Sequence, residues 1–458
     1  MAIREKHDAA FFKSRRAQLM QLIREQYPKS ADGLIVLFGA FESHSIFKQE
    51  RSFYYLTGIE EPACALLIDL KSDKTTLYVP NFGNERAKWV ASTISPAQKD
   101  RLGFDEIVYL GAQCKGYQCH PFFSKEEYQE LIKILDAAVA QKRTVFTFNP
   151  NSGSAYVEQR FILQRINSLI PNLSEFVVDI SPLLASMRRI KQNQELEYLY
   201  KAIDVTIDAH AAVARAIAPG KKEYEMQALI EYLFTSRGCS VAFGSIVASG
   251  PNSTILHYQE NNGKLEQGDM VVVDIGAEYN YYNADLSRTF PVSGTFTKRQ
   301  RELYLIVLET QDYIASLARP GMWVSNKDKP EQSLYHRAVS FLQEKGYEKY
   351  FLHGIGHYLG LDVHDVGDYS TPLQKGDVIT IEPGIYIPEE GIGIRIEDDY
   401  WIIEDGNICL SEDLLKSPDD IELMMAEKIQ PEDEPEEELE LEQEPVESEE
   451  EDFDDEEN

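Results

Sequence analysis

Val271-Val272-Val273-Asp274-Ile275-Gly276 is an unbroken Val/Ile run that finishes on a carboxylate and a glycine, and that pattern predicts a buried β-strand with an acid at its end. A second run, Asn283-Ala284-Asp285-Leu286-Ser287-Arg288, follows shortly, with Glu278 to Asn280 as the reversal between them. Paired as a ribbon, the two runs would aim Asp274 and Asp285 from one end of a sheet at a common point. Such convergence is costly unless a cation occupies the point. An aspartate at a strand end is also an ordinary turn residue, so the pair alone does not decide the chemistry.

Further along, His353-Gly354-Ile355-Gly356-His357 and Leu361-Asp362-Val363-His364-Asp365 place three of the nine histidines within twelve residues. The glycines between them allow close backbone approach. No glutamate follows His353, so this is not the helical His-Glu-x-x-His zinc motif, and the glycine spacing does not match a dinucleotide-binding turn. Two glutamates then end short apolar runs in the manner of Asp274: Glu382 in Ile379-Thr380-Ile381-Glu382-Pro383 and Glu397 in Ile394-Arg395-Ile396-Glu397. Four carboxylates with one to three imidazoles suit a pair of divalent ions such as manganese better than a structural zinc. Two metals about 3.5 to 4 Å apart, joined by bridging carboxylates, can hold an activated water.

The surrounding pattern predicts two folded parts and a tail. Residues 1–180 alternate helical and strand patterns and read as an α/β domain: a helix at Ala10 to Gln26, strands at Gly33 to Phe38, Cys64 to Leu70, Thr75 to Val79 and Val145 to Phe148, and helices at Lys125 to Ala140 and Tyr156 to Leu169. Residues 181–430 read as α+β. There the long helix Gln194 to Ile217 stops at Pro219-Gly220. Helices follow at Glu223 to Arg237 and Lys298 to Leu317, with strands at Met270 to Ile275, Tyr281 to Phe290 and Val378 to Ile387. Residues 431–458 hold 18 acidic residues and no basic one, a composition expected to stay disordered.

With 458 residues and 43% hydrophobic content the chain can bury a sizeable core. Its net charge of −32, or −14 without the tail, argues against nucleic acid and anionic membranes as partners. No apolar run has the length of a signal peptide core or a membrane span. The five cysteines are scattered, without a Cys-x-x-Cys pair, so a soluble cytoplasmic protein is expected.

Taken together, these motifs, with Thr254-Ile255-Leu256-His257-Tyr258, Ala284 to Phe290, Glu382-Pro383-Gly384-Ile385-Tyr386 and Gly393 to Asp399, resemble the pita-bread metallopeptidases, specifically aminopeptidase P and prolidase. Phe53-Tyr54-Tyr55-Leu56-Thr57-Gly58, followed by Glu61-Pro62, looks like the N-terminal domain of aminopeptidase P. The resemblance implies a C-terminal pita-bread metallopeptidase domain preceded by a smaller α/β domain. It also implies two divalent metals, most readily manganese: Asp285 and Glu397 bridge them, Asp274 chelates one, and His357 and Glu382 complete the other. A hydroxide bridging the metals would then attack peptides with an N-terminal Xaa-Pro, and Glu382 could take its proton. His257, His353 and His364 match substrate-binding and proton-shuttling histidines, while Tyr386 and Arg395 would hold Asp274. Phe243 stands near a position where some members carry tyrosine. A homo-oligomer is expected.

The resulting expectation is an Xaa-Pro aminopeptidase. Prolidase, which cleaves Xaa-Pro dipeptides, is the alternative, because the two share their metal ligands. A non-catalytic peptide- or histone-binding module, suggested by the acidic tail, is a remote third, since such modules have lost ligands that this chain retains.

Overall fold

Leu34–Phe38 (β1) is apolar at every position and buried on both faces, as a central strand flanked by helices must be. It lies inside a six-stranded mixed sheet with Ala65–Asp69 (β2), Lys74–Pro80 (β3), Glu106–Leu110 (β4), Val145–Thr147 (β5) and Val177–Asp179 (β6), in the order β4-β3-β2-β1-β5-β6. β1 runs antiparallel to β2 and parallel to β5. The computed structural model describes residues 8–42, 46–82, 88–89, 94–113, 125–150 and 156–427. The acidic tail, Cys114 and Cys119 lie outside the described residues.

Helix Ala9–Gln26 packs on this sheet, and so does the short helix Arg51–Thr57, which the apolar pattern of that segment does not announce. Glu50 starts the short helix by accepting from the backbone N–H of Ser52 and Phe53. The predicted helices at Lys125 to Ala140 and Tyr156 to Leu169 are realised as Gln129–Ala140 and Val157–Asn167.

The second part begins with helix Ser181–Arg189, which carries Arg188 and Arg189 in its last turn. Helices Asn193–Ala216, Glu223–Ser236 and Lys298–Leu317 follow the predicted boundaries closely. They cover small antiparallel sheets: Ile246–Ser249 (β8) with Met270–Ile275 (β9) and Leu286–Pro291 (β12), Val378–Ile381 (β13) with Asp398–Ile403 (β16) and Gly406–Cys409 (β17), and Gly384–Ile387 (β14) with Ile392–Arg395 (β15). A fourth small sheet joins Ser240–Val241 (β7), Ala277–Tyr279 (β10) and Tyr282–Asn283 (β11).

Two expected strands are broken. The reversal after β9 falls at Asn280-Tyr281, not at Glu278 to Asn280: both residues have positive φ, 49° and 75°, as the two-residue turn between β10 and β11 requires. The run Val378 to Ile387 divides at Glu382-Pro383, because Pro383 has no N–H to give the ladder. β13 then pairs with β16 and β14 with β15, so Glu382 and Glu397 fall at facing breaks in the pairing.

The two parts share one apolar cluster. Phe53, Tyr55 and Leu56 pack with Tyr282, Leu286 and Leu361, and Tyr54 stacks on Tyr281 with ring centres 3.9 Å apart. Arg15, buried in this seam, reaches Tyr282 Oη at 3.2 Å and Glu195 at 3.0 Å. The first part is thereby held against the ribbon that leads to Asp285.

Candidate active site

β9 and β12 pair in the register Asp274↔Ser287, with Asp285 immediately before β12. The ribbon closes because Gly276 has no side chain: a Cβ there would lie 1.9 Å from the Ala284 carbonyl oxygen. Glu397 joins β12 through an isolated bridge to Ser287. The His353–His357 segment is irregular but anchored along β13, where the N–H groups of Thr380 and Glu382 donate to the carbonyls of His357 and Ile355, each at 2.9 Å. Gly356 is obligatory here, since a Cβ would stand 2.0 Å from the Thr380 carbonyl oxygen.

These elements bring Asp285, His357 and Glu397 together, with one ligand atom of each within 4.8 Å of the others. His357 Nε2 lies 3.3 Å from Asp285 Oδ2, 3.8 Å from Glu382 Oε1 and 4.0 Å from Glu397 Oε1. Asp274 stands beside this group and is held by Arg395, whose Nη2 donates to Asp274 Oδ2 at 2.6 Å. Arg395 is fully engaged, with Nε donating to Ser287 Oγ at 3.1 Å and Nη1 to Tyr386 Oη at 2.8 Å. Tyr386 therefore reaches Asp274 only through Arg395; its own further contact is His353 Nε2 at 2.8 Å.

A cavity of about 900 Å³ is lined by nine of the ten predicted residues: Asp274, Asp285, His357, Glu382, Glu397, His257, His353, His364 and Arg395. Tyr386 lies behind its wall. His257 and His364 are exposed, His364 with its ring centre 4.2 Å from that of His357. His353 is partly buried, its Nδ1 3.5 Å from Glu382 Oε2. Phe243 also lines the cavity. His210, by contrast, is a core residue hydrogen-bonded to the Leu286 carbonyl.

The electrostatics show why this set demands a cation. Burial raises the Asp285 carboxyl to about 6, and the nearby charge of Asp274 adds to the effect. Burial raises Glu382 to about 7, with Asp285 and Asp274 also disfavouring its charge. Glu397 is pushed well above the usual carboxylate range by burial and by Asp285, Glu382 and Asp274. Burial pushes His357 down, but Asp285 and Glu382 outweigh it and hold the imidazole up to about 9. Asp274 Oδ1 is buried and has no hydrogen-bond partner among the described residues, a state that costs free energy unless an absent ligand supplies the contact.

The imidazole geometry points the same way. His357 Nδ1 lies 3.1 Å from the Tyr358 carbonyl, so Nδ1 carries the proton and donates, which leaves the Nε2 lone pair facing the carboxylates once a metal replaces the second proton. The donor set thus fits divalent metal: oxygen ligands, one imidazole, and a partner fixing each.

Sequence reasoning missed several residues that shape the site. Ser287 donates to Glu397 Oε2 at 2.9 Å. Asp399 Oδ2 accepts from the Asp285 N–H at 3.3 Å. Glu223, fully buried, accepts from Ser249, Asn252, Tyr258 and Gly263 and so ties down the loop that carries His257. Arg51 lines the cavity from the first part of the chain. Ser287 and Asp399 lie inside the quoted motifs, a usable signal; Glu223 and Arg51 carry none.

Residues 197–404 match the model of metallopeptidase family M24, and residues 12–113 match the aminopeptidase P N-terminal domain. The chain is 32% identical over 441 residues to the Xaa-Pro aminopeptidase of Escherichia coli K12, covering 88% of this chain and 95% of that protein. It is 40% identical over 240 residues to the Xaa-Pro dipeptidase of Pyrococcus furiosus, which covers 51% of this chain and 66% of that protein. Among solved structures, zinc-substituted E. coli aminopeptidase P in complex with product superposes with a TM-score of 0.77 at 28% identity, covering 92% of this chain and 99% of that one. The chain accordingly belongs to metallopeptidase family M24 and carries, ahead of the metallopeptidase domain, the N-terminal domain of aminopeptidase P.

Proposed function

We propose that this protein is a metal-dependent Xaa-Pro aminopeptidase, which removes the first residue from peptides with proline in second place. The observation that carries the reading is the convergence of Asp274, Asp285, His357, Glu382 and Glu397 on one cavity, in a chain that matches an Xaa-Pro aminopeptidase along nearly its whole length. In this reading those five residues would hold two divalent ions, manganese by preference. Bound there, the metals supply a water acidic enough to attack at neutral pH and polarise the scissile carbonyl.

The chain's own groups do the rest. Glu382, which burial already makes a better base than an ordinary glutamate, accepts the proton of the attacking water. His353 lies 2.8 Å through Nδ1 from the Gly354 carbonyl and 2.8 Å through Nε2 from Tyr386 Oη. Arg395 donates to that hydroxyl, so the hydroxyl donates to Nε2 and His353 is neutral with its proton on Nδ1, in keeping with a pKa held down to about 3 by burial and Arg395. That N–H is given to the Gly354 carbonyl, and Nδ1 stands 3.5 Å from Glu382 Oε2. His257 and His364, exposed on the cavity wall, steady the carbonyl oxygen, and the proton taken by Glu382 passes to the departing imino nitrogen. A bond to proline is a tertiary amide without N–H, so recognition has to come from the cavity walls and not from backbone pairing.

We further divide the chain near residue 180, since the last strand of the first sheet ends at Asp179, and take residues 431–458 as a tail outside catalysis. No helix among the described residues is long and apolar enough to cross a membrane, and the five cysteines are scattered without a Cys-x-x-Cys pair. The cysteine pattern is that of a chain from a reducing compartment, and we place a homo-oligomeric enzyme in the cytoplasm. The test is release of the first residue from Xaa-Pro-Xaa and Xaa-Pro peptides, against Xaa-Ala controls, after chelation and after adding manganese. Manganese-dependent cleavage of the tripeptide is expected. A clear preference for the dipeptide would make the protein a prolidase, and no cleavage of any Xaa-Pro peptide by the loaded protein would end the proposal.

A further inference from the structure

We infer that Arg51 reads a carboxylate on the substrate and so orients the peptide in the cavity, an inference that rests on the Xaa-Pro reading above. Among the described residues, Arg51 and Arg395 are the arginines on the cavity wall, and no lysine lines it. Arg395 has each of its nitrogens occupied. Arg51 differs. Its side chain is 18% exposed, its Nη2 donates to Glu278 Oε2 at 2.9 Å, its Nε lies 3.4 Å from Asp362 Oδ1, and its Nη1, a buried donor, has no hydrogen-bond partner among the described residues, a state that costs free energy unless a ligand supplies the contact.

The carboxylates that touch Arg51 are each shared with a second cation, one of which, Arg188, also pairs with buried Asp365 at 2.5 Å. Lys48 reaches Glu278 Oε2 at 2.9 Å, and buried Arg188 reaches Asp362 Oδ2 at 2.7 Å. The guanidinium also lies over the Tyr281 ring, 4.7 Å from its centre, and the seam between the two parts of the chain fixes that ring against Tyr54. Arg51 is therefore a held cation with donor capacity to spare, presented to the cavity by the other domain.

Its place beside the metal site gives it a use. Asp362 stands two residues before His364, whose ring packs on His357, so Arg51 borders the reacting centre without belonging to it. A free peptide N-terminus is an ammonium: the acidic cluster attracts it and Arg51 repels it. The opposite end of a short peptide, or an acidic side chain beyond the proline, carries the carboxylate that a planar guanidinium binds best. Arg51 would then fix which end of the peptide lies at the metals, and would favour substrates with a carboxylate within its reach.

The experiment compares kcat/KM of the manganese-loaded full chain on Xaa-Pro, Xaa-Pro-Xaa and Xaa-Pro-Xaa-Xaa, each as the free acid and as the C-terminal amide. Xaa-Pro-Glu-amide against Xaa-Pro-Gln-amide is the second arm. Wild type should prefer the acid by about 10-fold at one length at least, as expected of a partly exposed charge-assisted contact. Arg51→Gln should bring that ratio near one through KM, and Arg51→Lys should restore part of it. Because each ratio is taken within one variant, a general loss of activity does not disturb the reading. Collapse of the acid/amide ratio identifies the C-terminal carboxylate, and collapse of the Glu/Gln ratio an acidic side chain. Cleavage with both ratios unchanged in Arg51→Gln overturns the inference while sparing the Xaa-Pro reading; absence of Xaa-Pro cleavage by wild type overturns both.

Discussion

Replacing Glu397 by glutamine should stabilise the metal-free protein and destabilise the loaded one relative to wild type. Glu397 is 2% exposed, and its nearest ligand atoms on Asp285 and His357 lie within 4.8 Å. Two like charges at that separation repel by roughly 3.5 kcal/mol at an effective dielectric constant of about 20, an upper bound because partial protonation relieves it. Glutamine keeps the shape and an oxygen to accept from Ser287, so the metal-free variant should gain about 1 to 3 kcal/mol. At about 2–4 °C per kcal/mol for a cooperative unit of roughly 150–250 residues, its apparent Tm should rise by about 2 to 12 °C. Metal at about 100 times its Kd adds about 2.7 kcal/mol to wild type, and the variant, short of a shared carboxylate, should gain little while its turnover falls by orders of magnitude. Scanning calorimetry at pH 8 with chelator and with manganese, alongside elemental analysis, reads all of this. A variant that melts lower than wild type under chelator, or that binds two metals and stays active, would refute the reasoning.

Other consequences are as direct. His357 (raised to about 9) and Glu382 (raised to about 7) bind more protons folded than unfolded, so the metal-free protein should lose stability as pH rises from 6.5 to 9; below 6.5 the depressed histidines His353 and His210 oppose that trend. Urea midpoints at pH 6.5 and 9 under chelator should show the fall, and manganese should shrink it; a rise would contradict the assignment. Glu223→Gln sets an amide donor against donors that Glu223 now accepts, and should cost about 1–3 kcal/mol and lower kcat/KM through the loop of His257, as denaturation and kinetics on one sample would show. Gly356→Ala should push His357 off β13 and weaken metal binding measured by titration; unaltered affinity would mean that the backbone yields more easily than the 2.0 Å approach to Thr380 implies.

The chemistry-bearing residues were legible in the sequence because each interrupts an apolar pattern. Asp274, Glu382 and Glu397 end Val/Ile runs, where burial would punish a carboxylate without a purpose, and His353 to His364 crowd into glycine-rich backbone. Long helices were equally plain, since their 3.6-residue periodicity is local. What sequence periodicity could not settle was where a strand breaks: the Asn280-Tyr281 turn depends on backbone torsions, and the division at Glu382-Pro383 depends on which strand accepts which ladder bond. Nor could it show that Tyr386 reaches Asp274 only through Arg395, or that Glu223 anchors the loop of His257 from a helix more than thirty residues earlier. Arg51 is the clearest case. In the sequence it is one charge among many at a helix start, and only the packing of Tyr54 on Tyr281 carries it to the cavity. A single residue declares its chemistry by type and local pattern, but its partners across more than two hundred positions are chosen by the apolar seam between domains, a contact that exists only once both have folded.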